Sequence, residues 1–385
     1  MSNCRPPRKA LRLATIVGAR PQFIKAAVVS EAIRKHNQDH SGVSVKEILI
    51  HTGQHYDENL SRVFFDELAI PAPRYLLAVG SGPQGRQTGV MLTRIEKVLL
   101  DELPDAVLVY GDTNSTLAGA LAAAKLHIPV AHVEAGLRSF NCLMPEEINR
   151  VVTDKLSTWL FCPTATAVRN LANEGMIQGV FMVGDVMFDA FVVHKKEAAL
   201  KSRILDKWRL KPGRYALATV HRQENADDPE RLAGIFSAFF RIAEKKLPLI
   251  LPLHPRTRKS LRKIHGAASH NPHVIIIPPL PYFDMIRLEC DARVILTDSG
   301  GVQKEAFFAG VPCVTLRDET EWLETVESGW NYVAGTRTAD IIMAFQAALE
   351  SKKATSPRFY GNGNAAGLIL KKLLTALCSR KKAGI

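Results

Sequence analysis

The sequence lacks the features that mark disulfide-rich, secreted and membrane-spanning proteins. Its six cysteines form no C-x-x-C pair and show no zinc-ligand spacing, so neither a disulfide framework nor a zinc site is indicated. The apolar run Leu13–Val17 is too short for the core of a signal peptide. No stretch approaches the ~20 apolar residues of a membrane-spanning helix. We therefore expect a cytoplasmic protein that does not enter a membrane.

Several ligand-binding motifs are missing as well. The sequence contains no G-x-G-x-x-G dinucleotide motif and no phosphate-binding P-loop. The metal-binding pattern H-E-x-x-H and the hydrolase elbow G-x-S-x-G are also absent. These absences argue against a dinucleotide enzyme, a nucleotide triphosphatase and a serine hydrolase, and we expect neither a cofactor nor a metal ion.

Acidic residues are missing from both ends of the chain. Residues 1–12 contain four basic residues and no acidic one, and residues 371–385 contain five basic residues and no acidic one. These ends account for most of the formal net charge of +12. A nucleic-acid-binding protein would carry its charge as a stripe on a folded face. We therefore expect basic chain ends and no nucleic-acid partner.

What the sequence does contain is a regular alternation of short β-branched runs and amphipathic helices. This alternation predicts βαβ units with parallel sheets, and apolar runs such as Ala106–Tyr110 indicate strands covered on both faces. The pattern runs through once and then restarts after the charged segment His194–Arg214. The predicted fold class is α/β, with two doubly wound, Rossmann-like domains at 1–193 and 194–361 that face a cleft. Ligands of open α/β sheets bind at the carboxyl ends of strands, so we look for polar residues there.

Charged residues follow the predicted strands of the first domain. Arg20 lies in the turn after the first strand and Lys25 one helical turn further on, where both are candidates to bind an anion. Asp112 and Glu134 stand at strand ends, and Glu146 begins a helix. Converging carboxylates are required for general acid–base chemistry. The alternatives are an N-cap for Asp112 and a helix-dipole partner for Glu146.

Two histidines occupy equivalent places in the second domain. His221 ends its first strand and is followed by Arg222, and His254 ends the next strand. Histidines at equivalent strand ends, each close to an arginine, indicate phosphate binding or proton transfer.

The strand-to-helix segment that contains Ser299, Gly300 and Gly301 is the second feature of this domain. Free N–H groups and the helix dipole at such a turn attract anions, and glycines let the backbone approach them. Glu305 lies about one turn further along, where a carboxylate can accept hydrogen bonds from ribose hydroxyls. These residues predict an enzyme that acts on a nucleotide diphosphate ligand, but they do not choose between group transfer, hydrolysis and proton abstraction.

The chain resembles the non-hydrolysing UDP-N-acetylglucosamine 2-epimerases from about Leu11 to its last predicted helix. The resemblance is carried by blocks in the family's order: GARPQFIK, HTGQHYD, YGDTNST, HVEAGLRSFN, MPEEINR, VGDVMFD, TVHRQEN, LHPRTR, TDSGGVQKEA and RDETEW. It implies a glycosyltransferase-B-like fold, a homodimer, and a last helix at 362–380 that packs back on the first domain. It also implies an isomerase of cell-surface polysaccharide precursor synthesis.

The resemblance implies a reaction and a role for each candidate residue. In this family UDP is eliminated as the carbon-2 proton of the sugar is removed, and UDP then adds back with protonation on the opposite face. Asp112, Glu134 and Glu146 take the acid–base positions and His221 the diphosphate-side histidine, although the motif does not settle which acid is the base. The positions that match the family's substrate contacts are Arg20, Lys25, Ser299, Gly300, Gly301 and Glu305.

Two departures from the family pattern leave the substrate open. Regulated bacterial members have Gln-His-Arg-Glu where this chain has Gln54-His55-Tyr56-Asp57, so activation by a second UDP-sugar is in doubt. A tryptophan at position 322 resembles the branch of the family that acts on UDP-2,3-diacetamido-2,3-dideoxyglucuronate, a lipopolysaccharide precursor. That substrate needs a cation for its carboxylate, and the candidates are Arg138 and Arg222. More distant alternatives are a glycosyltransferase of the same fold and a catalytically silent nucleotide-sugar sensor.

Overall fold

The computed structural model describes residues 10–39, 42–54, 71–243, 247–253, 257–258, 260–261, 271–351 and 358–382. The chain divides into two compact units. The N-terminal unit comprises Met1–Ala190 and Phe359–Ile385, and the C-terminal unit comprises Phe191–Arg358. Within the described residues, no helix is long and apolar enough to cross a membrane.

The N-terminal unit is built on a parallel sheet with helices between its strands. Its strands are β1 (Ala10–Val17), β2 (Ser44–His51), β3 (Tyr75–Leu76), β4 (Ala106–Tyr110), β5 (Val130–Val133), β6 (Trp159–Cys162) and β7 (Val180–Met182). Among the described residues they form one seven-stranded sheet in the order β3-β2-β1-β4-β5-β6-β7, and the neighbouring strands pair in parallel. The carboxyl ends of β1, β4 and β5 therefore lie side by side at the centre of one sheet edge.

The described helices of this unit are α1 (Arg20–Gln38), α2 (Gln84–Glu102), α3 (Asn114–Lys125), α4 (Pro145–Leu156), α5 (Ala165–Asn173) and α14 (Ala365–Lys382), and α6 (Val186–Lys201) begins in this unit and continues into the C-terminal one. Two of them show why they begin where they do. Thr113 caps α3 by accepting a hydrogen bond from the Thr116 N–H, and α4 opens with Pro145 and two acidic residues, as the helix dipole favours. Helix α14 contacts α1, and its Ala366 N–H donates to Asp189 at 2.8 Å.

The C-terminal unit repeats this architecture. Its strands are β8 (Ala216–Thr219), β9 (Leu249–Pro252), β10 (Val274–Ile277), β11 (Val294–Thr297), β12 (Cys313–Thr315) and β13 (Asn331–Val333). They form a parallel sheet in the order β10-β9-β8-β11-β12-β13. Its helices are α7 (Ile204–Lys207), α8 (Gln223–Ala226), α9 (Pro229–Ala243), α10 (Tyr282–Asp291), α11 (Gly300–Ala309), α12 (Leu323–Glu327) and α13 (Thr338–Glu350).

Apolar cores cover the sheets of both units. In the N-terminal unit Ile16, Ile48 and Val109 of the sheet pack with Met91 and Ala118 of the helices, all of them fully buried. In the C-terminal unit one cluster lies against α9 and α13 and a second against α10 and α11. Strands that are buried on both faces have continuous apolar sequences, which is the pattern seen here. The two parallel sheets with their covering helices confirm the predicted fold class, two Rossmann-like α/β halves.

Some details of the fold leave no clear pattern in the sequence. The charged segment His194–Arg214 is partly helical, because α6 continues through Lys201 and α7 follows it. Strand β3 has only two residues, too few to leave a pattern in the sequence. Helix α12 begins after a turn at Thr320–Trp322, in which the Thr320 hydroxyl donates a hydrogen bond to Gln303.

His51 at the end of β2 predicts an acid-sensitive step in stability. Its ring is 2% exposed and stacks on Phe23 at a centroid distance of 4.9 Å. Burial lowers its pKa from 6.5 to about 4. The unfolded chain therefore takes up a proton below pH 6.5 that the folded chain refuses until about pH 4, and stability falls as the pH drops through that window.

We expect this group to remove about 2 kcal/mol of unfolding free energy between pH 7 and pH 5. Urea unfolding at both pH values should show that His51→Phe loses less stability on acidification than the wild type does. His36→Gln serves as the control, because His36 lies near the surface with its ring bonded to the Val43 carbonyl. An equal acid loss in wild type and His51→Phe would contradict the assignment.

Candidate active site

An ion pair between Lys25 and Glu134 lies at the centre of the N-terminal unit's carboxyl edge. Lys25 comes from the second turn of α1 and Glu134 directly follows β5, and the Lys25 ammonium contacts the Glu134 carboxylate. Their side chains are 9% and 6% exposed. Glu134 adopts a positive φ of 72°, which is rare for a residue with a side chain and costs free energy. Held strain at a buried charged residue is typical of functional sites.

Gly111 brings the neighbouring strand end up to this ion pair. It has a φ of +61°, and a Cβ added there would lie 3.1 Å from Lys25 Nζ and 3.2 Å from the nearer Glu134 oxygen. Its N–H donates to the Val133 carbonyl at 3.0 Å. The backbone that leads into Asp112 therefore passes directly beside the ion pair of Lys25 and Glu134.

Asp112 is held as a carboxylate by basic neighbours. Arg150 donates to it at 2.6 Å, and the Asp112 side chain remains 33% exposed. Desolvation raises the pKa of Asp112, but the charges of Arg150 and Lys25 outweigh it, so the pKa lies below its ordinary value. Asp112 is thus a partly accessible carboxylate, whereas Glu134 is a buried one.

Removing the Arg150 charge should shift the acid limb of the activity profile. Without that cation the pKa of Asp112 rises, so a reaction that needs the carboxylate loses rate at a higher pH. The measurement is kcat against pH for wild type and Arg150→Gln. The matched control is Arg34→Gln, since Arg34 likewise lowers the pKa of Glu31 but does so on the exposed face of α1. An acid limb that stays in place in Arg150→Gln would contradict the assignment of Asp112.

The two acids that open α4 face different surroundings. Glu146 is exposed on the first turn. Glu147, which no sequence motif singles out, is 4% exposed. It accepts hydrogen bonds from the backbone N–H groups of Ser139 and Phe140 and from Arg150 at 2.9–3.0 Å. Glu147 therefore fixes the preceding loop, while Glu146 stays accessible.

Arg138 does not fit the role of a substrate cation. Its side chain is 1% exposed and donates to Asp154 at 2.7 Å. It also donates two hydrogen bonds to the Glu174 carboxylate, at 2.6 and 2.9 Å. The expectation that it meets a substrate carboxylate is corrected, because two carboxylates of its own unit already neutralise it.

A buried amide ties the turn after β1 to this edge. Gln22, 1% exposed, accepts from the Gly18 and Ala19 N–H groups and donates to the Tyr110 carbonyl and to Thr116. The turn that precedes Arg20 is therefore fixed to the end of β4. An amide is suited to this because it both donates and accepts.

In the C-terminal unit a buried carboxylate holds the His221 turn. Asp298 is fully buried and accepts from the backbone N–H groups of His221 and Arg222 at 3.0–3.1 Å and from Asn225 at 3.2 Å. The His221 side chain is 53% exposed, with its Nδ1 3.6 Å from Asp298. Asp298 thus fixes the backbone and leaves the imidazole accessible to a ligand.

The helix N-terminus for which an anion cradle is predicted is that of α11. Ser299 caps the helix through the Val302 N–H, and first-turn N–H groups have no partner within a helix. A Cβ at Gly300 would lie 2.4 Å from Glu321 Oε1, whereas one at Gly301 would meet only Ser299 Oγ at 3.8 Å. A side chain at position 300 would therefore displace the Glu321 carboxylate, which packs against Gly300.

Glu321 and Trp322 lie beside Gly300 at the N-terminus of α11. No sequence motif predicts this contact. Arg317 donates to Glu321 at 2.9 Å, and the Lys304 ammonium lies 4.2 Å from the centre of the Trp322 ring. Trp322 is 4% exposed. The Trp322 ring therefore packs against α11 and makes a cation–π contact with the Lys304 ammonium.

Glu305 lies one turn inside the same helix. It is 7% exposed and accepts a hydrogen bond from the Tyr282 hydroxyl at 3.3 Å. The remaining predicted positions cannot be placed, because the side chain of Arg20 and all of His254 lie outside the described residues. Among the residues that are described, no group of three or more His, Cys, Asp or Glu side chains is arranged to hold a metal ion.

Comparison with known proteins gives matches over nearly the whole chain. Residues 36–374 match the family model for UDP-N-acetylglucosamine 2-epimerase. A UDP-N-acetylglucosamine 2-epimerase homolog from Methanococcus maripaludis is 52% identical over 366 residues, which cover 94% of this chain and 99% of the relative. The UDP-2,3-diacetamido-2,3-dideoxy-D-glucuronate 2-epimerase of Pseudomonas aeruginosa is 47% identical with the same coverage.

A solved structure agrees with these matches. The crystal structure of Methanocaldococcus jannaschii UDP-GlcNAc 2-epimerase in complex with UDP-GlcNAc and UDP has a TM-score of 0.87 at 44% identity. The match covers 95% of this chain and 100% of that one. Fold and sequence therefore point to one family.

Proposed function

Because the chain belongs to the UDP-N-acetylglucosamine 2-epimerase family, we propose that it interconverts UDP-N-acetylglucosamine and UDP-N-acetylmannosamine. The carbon-2 proton is transferred to a protein base while the anomeric carbon–oxygen bond breaks, which releases UDP and leaves an unsaturated sugar. UDP then adds back to the anomeric carbon, and a proton is delivered to carbon 2 from the opposite face. The enzyme is an isomerase that needs no second substrate.

The proposal assigns proton transfer to the N-terminal unit. The observation that carries it is that Asp112 and Glu134 follow neighbouring parallel strands, and that each carboxylate is held by its own basic residue. Two carboxylates with different surroundings are what a reaction needs when it removes a proton from one face and returns it to the other. Glu146, exposed on α4, is the third candidate.

The proposal assigns the nucleotide to the C-terminal unit. Ser299, Gly300 and Gly301 bind the diphosphate at the N-terminus of α11, and Glu305 binds the ribose hydroxyls. His221, with its accessible ring, stabilises the leaving diphosphate. Arg20 and Lys25 are assigned to the phosphate side as well, since each cation lowers the cost of the departing charge.

Glu305→Ala should weaken UDP binding without removing the chemistry. Hydrogen bonds to a charged group contribute about 1.5–3 kcal/mol, so the Kd for UDP should rise about tenfold to a hundredfold. Titration calorimetry with UDP measures this directly, and Glu327→Ala on the exposed part of α12 is the control. UDP affinity equal to wild type in Glu305→Ala would remove Glu305 from the ribose site.

A second substrate is suggested by one of the relatives. The relative named as acting on UDP-2,3-diacetamido-2,3-dideoxy-D-glucuronate shares 47% identity with this chain, whereas the relative named UDP-N-acetylglucosamine 2-epimerase homolog shares 52%. That sugar brings a carboxylate that needs a cation. With Arg138 neutralised within its own unit, Arg222 is the candidate that remains of the two.

A side-by-side assay of both UDP-sugars at matched concentration, without an acceptor, tests the proposal. Turnover of either sugar supports an epimerase. It excludes a catalytically silent sensor, and it excludes a glycosyltransferase because that enzyme would need an acceptor. A hundredfold preference, about 2.7 kcal/mol, decides between the two sugars. If UDP-N-acetylglucosamine is not turned over, the first substrate is wrong.

We also propose that the protein is a cytoplasmic homodimer that supplies precursors of cell-surface polysaccharide, with lipopolysaccharide as the destination if the uronate is the substrate. These assignments rest on the family pattern of the sequence. Sedimentation of the purified protein checks the dimer.

A further inference from the structure

His132 is a completely buried histidine whose two ring nitrogens both face acceptors. It lies on β5, two residues before Glu134. Its Nε2 is 2.8 Å from the Gly111 carbonyl oxygen, and its Nδ1 is 2.7 Å from Asp154 Oδ1. Both His132 and Asp154 have fully buried side chains.

The partners of His132 determine where its protons lie. A carbonyl oxygen only accepts hydrogen bonds, so Nε2 donates to Gly111. Asp154 is already an acceptor, because its other oxygen receives the Gly136 N–H at 3.1 Å and Arg138 at 2.7 Å. Nδ1 therefore donates to Asp154, and the ring bridges the two acceptors as a double donor.

His132 and Asp154 together hold both loops that carry the proposed acid–base residues. Gly111 directly precedes Asp112, and Gly136 follows Glu134 by two residues. The Gly111 peptide is fixed on both sides by β5, through its N–H to Val133 and through its carbonyl to His132. Asp154 in turn holds Gly136 and His132 together.

We infer that His132 is a positioning residue for the proposed reaction, fixing the Gly111–Asp112 turn against Glu134 through its Nε2–H bond to the Gly111 carbonyl. This inference rests on the proposed function. His132 is fully buried, so it acts through Gly111 and not on the substrate. Its contribution belongs in kcat and not in KM, because a small displacement of a reacting group lowers the rate of the chemical step much more than it lowers binding.

Two amide substitutions separate the two halves of this role. His132→Gln keeps an N–H donor at the Nε2 position, which serves Gly111, and loses the donor to Asp154. His132→Asn keeps a donor at the Nδ1 position, which serves Asp154, and loses the one to Gly111. A purely structural role through the buried charge of Asp154 would make His132→Gln the more damaged protein.

The positioning role predicts the opposite order in activity. We expect kcat of His132→Asn to fall about tenfold to a hundredfold with KM and UDP affinity near wild type, while His132→Gln retains most of the wild-type kcat. The measurements are kcat and KM for the UDP-sugar that the wild type turns over, UDP titration, and the thermal midpoint. Asp189→Asn is the control for lost stability alone, since Asp189 is a buried carboxylate that holds the start of α14.

The outcomes are distinguishable. Wild-type protein that turns over neither UDP-sugar refutes the proposed function itself. If the wild type is active, equal kcat in the two His132 variants, or a kcat loss in His132→Asn no larger than in an equally destabilised Asp189→Asn, overturns the positioning role. A lower kcat in His132→Gln than in His132→Asn overturns it as well.

Discussion

Glu134→Gln and Asp112→Asn are each expected to lower kcat by about a hundredfold or more while the protein still binds UDP. Both substitutions keep the size of the side chain and remove its ability to take or give the proton at carbon 2. The nucleotide is assigned to the other unit, so UDP affinity should change little. Kinetics with the preferred UDP-sugar and UDP titration on the same preparations give the two numbers.

The control for this pair is Asp101→Asn, an equivalent change of an exposed acid on α2. It should match wild type in both measurements. A parallel loss of kcat and UDP binding in both site variants would indicate damaged folding. Wild-type kcat in either variant would remove that carboxylate from the reaction.

Gly111→Ala should lower kcat by displacing the ion pair of Lys25 and Glu134. The added Cβ would lie 3.1 Å from Lys25 Nζ and 3.2 Å from the Glu134 carboxylate, which is closer than most Cβ contacts, so the ion pair must shift. Displacement of a reacting carboxylate by a fraction of an ångström to 1 Å costs up to about a hundredfold in rate. We expect a kcat loss approaching that size, measured with the same UDP-sugar.

Gly175→Ala separates this effect from backbone strain. Gly175 has a φ of +76°, close to the +61° of Gly111, but a Cβ there would meet nothing within 4 Å. Both variants should lose about 1–2 kcal/mol of stability, because alanine resists the left-handed conformation. Equal kcat in the two variants would show that Gly111 matters only to the backbone.

The location of some candidate residues in the fold could be predicted from the sequence. Asp112 and Glu134 follow adjacent parallel strands, so the topology alone brings them to one edge. Ser299 and the two glycines after it stand where a strand becomes a helix, and the first-turn N–H groups of a helix have no partner within it. The order of strands and helices along the sequence is sufficient to predict these locations, while the roles of these residues stay predictions.

Residues whose role depends on a partner far along the chain could not be assigned. Arg138 looked like a substrate cation because its partners, Asp154 and Glu174, lie 16 and 36 residues away, and neither spacing is a motif. His132 lies on β5 and Asp154 on α4, and the sequence of neither element predicts the hydrogen bond between them. Glu321 reaches Gly300 only through the fold of the turn before α12.

The most direct test of the central claim is the fate of the carbon-2 hydrogen. The purified enzyme is incubated with its UDP-sugar in deuterated water, and product and recovered substrate are examined by NMR and mass spectrometry. Removal of the proton by a protein base followed by its return predicts deuterium at carbon 2 of the product and, through the reverse reaction, of the substrate. Epimerisation with the original hydrogen retained at carbon 2 would contradict elimination and re-addition, and with it the roles given to Asp112 and Glu134.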